Sequence, residues 1–92
     1  MSDFEKICKY IEDNAATAVE LEKILTKIPA LAPENGGDGE SAKCKALEEF
    51  LAAHGITDLK HFDAPDSRVS SGVRPNLVAT LKGRTAKNLW IM

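Results

Sequence analysis

The side chains with the chemistry to hold a transition metal are two cysteines and two histidines: Cys8, Cys44, His54 and His61. A zinc site needs three or four such groups at spacings that let them converge, such as C-x-x-C or H-E-x-x-H. None of the four belongs to such a spacing, so the sequence assigns no metal ligand. The two cysteines fall on predicted helices, where a free thiol behaves as a small apolar residue. No secretion signal is recognised, and we therefore expect reduced thiols rather than a disulfide.

The other reactive or charged candidates are serines and arginines of the second half: Ser67, Ser70, Ser71, Arg68, Arg74 and Arg84. The serines lie in no G-x-S-x-G nucleophile elbow and are typical of turns. Three scattered arginines are typical of a solvated surface. The segment Gly36-Gly37-Asp38-Gly39 lacks the lysine and hydroxyl residue of a P-loop and follows no strand. The sequence thus assigns no catalytic, cofactor-binding or metal-binding residue.

Bulk composition limits the kinds of partner. A chain of 92 residues has room for one small domain. The net charge of −2 gives no general attraction to nucleic acid or to an anionic membrane. No apolar stretch approaches the roughly 20 residues that span a bilayer. The N-terminal residues are acidic and lack the basic and apolar regions of a signal peptide, which predicts a cytoplasmic protein.

Two regions with helical periodicity come first. Ser2 and Glu5 form a capping-box pattern, and one long helix or two abutting helices are predicted over roughly 3–28, with Asp13-Asn14 as the break. The proline- and glycine-rich residues 29–40 are predicted to be a loop. The next helix is expected from about Asp38 or Glu40 to His54. Gly55 at the left-handed position after it would let Ile56 fold back on Leu51.

The rest of the chain predicts strands. We expect strands at 57–63, at 76–82 and at Leu89–Met92, with a loop over 64–75 and a turn over Gly83–Lys87. Leu89–Met92 is continuously apolar, as in a strand covered on both faces within an α/β sheet. An apolar run that the chain does not cover is unfavourable, so we expect these 92 residues to be part of a larger domain. The alternative is an edge strand that ends a small protein.

Several of these segments, in this order, resemble one enzyme family. They are Ile28–Gly37, a helix ending in His54-Gly55-Ile56, Arg74–Gly83 and the apolar run Leu89–Met92. Together they resemble the N-terminal region of zinc-dependent exopeptidases and deacylases. That family contains acetylornithine deacetylase, succinyl-diaminopimelate desuccinylase, aminoacylase, carnosinase-type dipeptidases and glutamate carboxypeptidase (carboxypeptidase G). The resemblance extends over nearly the whole chain from about residue 4 and depends on order and spacing rather than on a metal-ligand motif.

The resemblance implies an α/β fold: two N-terminal helices followed by the first strands of a zinc-exopeptidase-like catalytic sheet. Residues 1–92 would be the N-terminal part of a single catalytic domain. The parent would be a cytoplasmic hydrolase with two zinc ions, or cobalt, that cleaves an amide or peptide bond of a small molecule. It would bind neither nucleic acid nor membrane and could form a homo-oligomer. In the family a His-x-Asp follows the last strand, so all metal ligands and the catalytic glutamate would lie beyond Met92, and these 92 residues alone would be inactive.

Two other classes of function remain open at this stage. One is a small stand-alone α+β binding or interaction module. The other is a non-catalytic relative that keeps the scaffold of the hydrolase family and has lost its site. The residues after Met92 would separate the second class from the enzyme, whereas cooperative unfolding of a clean monomer would favour the first.

Overall fold

Local capping interactions define the two helices that begin the chain. In the computed structural model, which describes residues 1–92, α1 is Asp3–Asp13 and α2 is Ala15–Lys27. The Ser2 hydroxyl accepts from the Glu5 amide at 3.1 Å, and the Glu5 carboxylate accepts from the Ser2 amide at 3.1 Å. The predicted capping box is therefore confirmed. Asn14 separates the helices, and its side chain donates to the Tyr10 carbonyl at 2.8 Å, so the prediction of two abutting helices is confirmed.

A short 3₁₀ turn, Pro33–Asn35, lies within the predicted loop, and the third helix, α3, spans Ser41–Ala53. Its C-terminus is the motif expected from the sequence. Gly55 has φ +82°, its amide donates to Ala52 at 3.1 Å, and the Ile56 amide donates to Leu51 at 2.9 Å. This pair of hydrogen bonds is the Schellman pattern, which stops the helix and redirects the chain.

Two antiparallel sheets of two strands each follow the helices. Their strands are β1 (Leu59–His61), β2 (Ala64–Pro65), β3 (Val73–Arg74) and β4 (Leu77–Ala79). Strand β1 pairs with β4, so that Leu59 lies opposite Ala79 and His61 opposite Leu77, whereas β2 pairs with β3. The predicted strands at 57–63 and 76–82 are confirmed in shorter form. The architecture is thus α/β, with three helices and two small antiparallel sheets.

Two predictions about the strands are wrong. The segment 64–75, predicted to be a loop, contains β2 and β3 near its ends. The sequence did not indicate them, because strands of two residues are too short to show an alternating pattern. Pro65 is tolerated since β2 is an edge strand. Residues 89–92 form no strand and have no backbone hydrogen bond to a neighbour. Their side chains, at least 73% exposed, lie beside β4 around an open cavity of about 390 Å³.

Very little of the molecule is buried. Only Gly39 and Val69 fall in the buried class, and Val69 is the one apolar side chain among them. The radius of gyration is 16.3 Å, compared with about 12 Å for a compact domain of this length. The accessible surface is 7605 Å², compared with about 5,200 Å² for a compact monomer of this mass. Apolar side chains are thus present at helical and strand spacing, but the chain does not cover them.

No helix of the structure combines the length and the apolar character needed to cross a bilayer.

Candidate functional site

Three groups capable of binding a metal converge between α3 and β1. Cys44 and Glu48 lie one turn apart on the same face of α3, and His61 is the last residue of β1. One ligating atom from each residue lies within 4.8 Å of the other two. Cys44 Sγ donates to Glu48 Oε1 over 3.7 Å, and His61 Nε2 donates to the same carboxylate oxygen. We refer to these three residues as the Cys-Glu-His cluster.

Local structure on both sides holds His61 in place. The Schellman ending of α3 brings the chain back toward the helix, where β1 pairs with β4. Asp63, two residues after His61, accepts from His61 Nδ1 at 2.9 Å and from the Asn76 amide at 3.0 Å. The Asn76 side chain in turn donates to the Phe62 carbonyl at 3.1 Å. The imidazole is therefore oriented by a carboxylate that is itself fixed at the start of β4.

The cluster lies at one side of a shallow pocket of about 200 Å³. Its other lining residues come from α3, from β3 and from the connections between strands: Ser41, Lys45, Asp63, Val73 and Pro75. The side chains of Glu48 and His61 are 31% and 42% exposed. The cluster is consequently accessible from solvent and yet partly screened from it.

The electrostatic environment favours an additional positive charge. Hydrogen bonding to Asp63, with a further contribution from Glu48, raises the pKa of His61. Hydrogen bonding to His61 and to the Asn76 amide lowers the pKa of Asp63. Burial, reinforced by the nearby Glu48 carboxylate, raises the pKa of the Cys44 thiol. The Glu48 carboxylate within the cluster and the Asp63 carboxylate beside it thus both contact His61.

Nucleophilic catalysis fits this arrangement poorly. A reactive cysteine requires a thiolate, which a neighbouring cation or a helix N-terminus would favour. At Cys44 the pKa is shifted in the opposite direction. His61 donates from both ring nitrogens, so the imidazole has no free lone pair with which to take the thiol proton. The set of donor atoms is better suited to holding a cation than to attacking a carbonyl.

A second polar cluster joins two loops and involves two of the three arginines. Arg74 donates to Glu40 at 2.7 Å and lies 3.5 Å from Asp66. Arg68 donates to Asp66 at 2.8 Å and to Glu34 at 2.9 Å. These contacts hold the pKa of Asp66 far below its usual range, with the hydrogen bonds from Arg68 as the largest cause. The sequence predicted solvated arginines; the Arg68 side chain is 54% exposed and fits this prediction better than that of Arg74, which is 26% exposed. Both guanidinium groups are paired with carboxylates.

The remaining candidates from the sequence have local structural roles. The Ser70 amide donates to Asp38, before α3, at 2.7 Å, and the Ser71 hydroxyl lies 2.7 Å from that of Ser41, the first residue of α3, so both serines fix their loop to the N-terminal end of that helix. His54 stacks on Phe50, with ring centroids 4.1 Å apart, and is not part of the Cys-Glu-His cluster.

Both cysteines are free thiols, and only Cys44 belongs to the cluster. The sequence did not single out Glu48 as a ligand. The available signal was its spacing of four residues from Cys44, which places two donor groups on one helical face. The approach of His61 depends on the fold and has no counterpart in the local sequence.

Comparison of the chain with protein-family models, with curated proteins and with solved structures finds no significant match.

Proposed function

We propose that residues 1–92 form the N-terminal scaffold of a zinc-dependent hydrolase that cleaves an amide or peptide bond of a small substrate. The substrate class comprises N-acyl amino acids, N-succinyl-diaminopimelate and short peptides, and the protein acts in the cytoplasm. The proposal combines the resemblance of Ile28–Gly37 and Arg74–Gly83 to the zinc exopeptidase family with one structural observation. That observation is the uncovered apolar surface beside β4.

The uncovered surface supports a scaffold role. Leu77 and Val78 of β4, together with Leu89, Trp90 and Ile91, line the open cavity of about 390 Å³. Exposed contiguous apolar surface of this kind is characteristic of regions that another structural element covers. In an α/β sheet the covering elements would be further strands and helices. The extended shape of the chain, with a radius of gyration of 16.3 Å, agrees with a part of a larger body.

The salt-bridge cluster also supports it. Glu34 belongs to the first of the two segments that carry the resemblance, and Arg74 begins the second. Arg68 bridges Glu34 and Asp66, and Asp66 lies 3.5 Å from Arg74. The two segments are thereby tied together, as expected if they form one structural unit. The catalytic ligands that the family uses would lie outside residues 1–92, so no catalytic role is assigned to a residue of this chain.

The test is to express the complete gene product and to assay hydrolysis of these three substrate classes with and without added zinc or cobalt. We expect activity that a chelator abolishes and that either metal restores. The matched control replaces the histidine and the aspartate of the His-x-Asp expected directly after Met92. If no His-x-Asp follows, the non-catalytic relative becomes the better interpretation. Cooperative unfolding of residues 1–92 as a compact monomer would instead favour the stand-alone module.

A further inference from the structure

We propose that Cys44, Glu48 and His61 form a binding site for a single zinc ion, separate from any catalytic metal centre of the hydrolase. The three residues supply a thiolate sulfur, a carboxylate oxygen and an imidazole nitrogen, which is a donor set that zinc accepts. They come from two elements, α3 and β1, so the ion would fasten the strand to the helix.

The donor atoms lie near enough to one another to converge on a single zinc ion. Bond lengths of about 2.3 Å to sulfur and about 2.0–2.2 Å to nitrogen and oxygen place tetrahedral ligands about 3.2–3.7 Å apart. The Cys44 to Glu48 separation is 3.7 Å, and no pair among the three exceeds 4.8 Å. Glu48 and His61, which now share a hydrogen bond, would have to move apart to the separation of two tetrahedral ligands to admit the ion. The Glu48 side chain is 31% exposed, and its rotation would make this change while Asp63 keeps the imidazole in place.

Asp63 gives the site the outer support that metal-binding histidines usually have. It accepts from His61 Nδ1 at 2.9 Å, which leaves Nε2 directed toward Glu48 and Cys44. A carboxylate on the far nitrogen fixes the ring orientation and increases the basicity of the ligating nitrogen. Asp63 in turn accepts from the Asn76 amide at 3.0 Å, so this support lies beside the paired strands β1 and β4.

Zinc binding at this site would release two protons and leave one coordination position for water. Zinc would displace one proton from the Cys44 thiol and one from His61 Nε2, and both protons would pass to solvent through the open pocket. The fourth coordination position would be open to the pocket and would be filled by a water molecule. Lys45 also lines the pocket, and its positive charge would oppose binding.

The experiment is a zinc titration of the 92-residue chain against a chromophoric chelator, repeated with cobalt to record the thiolate-to-cobalt absorption. We expect one equivalent of zinc per chain and the thiolate band with cobalt. Cys44→Ser and His61→Gln should weaken zinc binding at least tenfold, and Asp63→Asn should weaken it by about tenfold. Lys45→Gln should leave binding unchanged or tighten it.

The chain itself provides matched controls. Cys8→Ser and His54→Gln remove the same chemical groups from outside the cluster and should retain both the affinity and the cobalt band. Far-UV circular dichroism of each variant checks that the helices remain. The proposal is overturned by the absence of one-equivalent binding at micromolar zinc, by binding that survives Cys44→Ser, or by equal losses in the two control variants. Hydrolase activity plays no part in these measurements, so this result and the test of the proposed function are independent.

Discussion

Substitution of Gly39 by alanine would measure how closely Gly39 packs against Val69. Gly39 and Val69 are the two buried residues of the chain. Gly39 has φ +78°, and a Cβ atom added there would lie 3.1 Å from Val69 Cγ1 and 3.6 Å from the Arg74 side chain. The substitution therefore has two separate costs, one in the backbone and one in packing.

Both costs can be estimated. A residue with a Cβ in the left-handed region costs about 1–2 kcal/mol. Overpacking of a close-packed region adds about 1–3 kcal/mol. Gly36 provides the matched control, because it has φ +79° and no heavy atom within 4 Å of its added Cβ. Gly36→Ala should incur the backbone cost alone. The Gly39→Ala variant should therefore be less stable than the Gly36→Ala variant by at least about 1 kcal/mol. The reduced entropy of the unfolded chain affects both variants equally and cancels in the comparison.

Amide hydrogen exchange is the suitable assay, because it reports local opening even in a chain with few buried residues. The Ser70 amide, which donates to Asp38 at 2.7 Å beside the buried pair, is the reporter. A difference of about 1 kcal/mol corresponds to roughly fivefold faster exchange in Gly39→Ala than in Gly36→Ala. Equal acceleration in the two variants would refute the packing of Gly39 against Val69.

Three further outcomes are expected. Ser2→Ala removes the cap that accepts from the Glu5 amide, so α1 should lose about 1 kcal/mol of stability and far-UV helical signal, and an unchanged spectrum would contradict the capping box. The hydrogen bonds from Arg68 lower the pKa of Asp66, so the ionised Asp66 carboxylate should stabilise the folded chain fully above the ordinary carboxyl pKa of about 4. This contribution to the free energy of unfolding should be lost as the pH falls toward the lowered pKa. Exchange at the Arg68 amide should follow this trend, and Asp66→Asn should remove it; an Asp66→Asn variant with the same acid response would count against the assignment. Trp90, which is 73% exposed, should promote self-association, so Trp90→Asp should shift the sedimentation profile toward monomer. A wild-type chain that stays monomeric at high concentration would contradict this expectation.

The features that the sequence predicts correctly are those that a few neighbouring residues determine. The capping box at Ser2 and the Schellman ending at Gly55 each depend on contacts within one helical turn. The strands around Leu59 and Leu77 were predicted from local composition and alternation, although their pairing partners were not. Where the information is local, the physical rule that applies to a peptide also applies in the folded chain.

The features that the sequence misses depend on the rest of the structure. The apolar pattern of Leu89–Met92 predicted a buried strand, but a strand requires a hydrogen-bonded neighbour, and none is present for this segment. The meeting of Cys44 with His61 depends on the path from α3 into β1, which no spacing motif records. The i, i+4 relation of Cys44 and Glu48 was visible, yet two ligands on one helix face are common without a metal.

The register of β1 against β4 links the two proposals. It places His61 opposite Leu77, and Leu77 also lines the uncovered cavity beside Trp90. A shift by one residue would turn His61 to the opposite face of the sheet and separate it from Cys44. Two short strands specify their register only weakly, because few side chains pack against them. In the proposed hydrolase, further strands or helices that cover β4 would stabilise this register, and a zinc ion bound to His61 would stabilise it at β1. If the proposed function is correct, zinc should bind more tightly to the full hydrolase than to residues 1–92, because less of the binding free energy is spent on ordering β1.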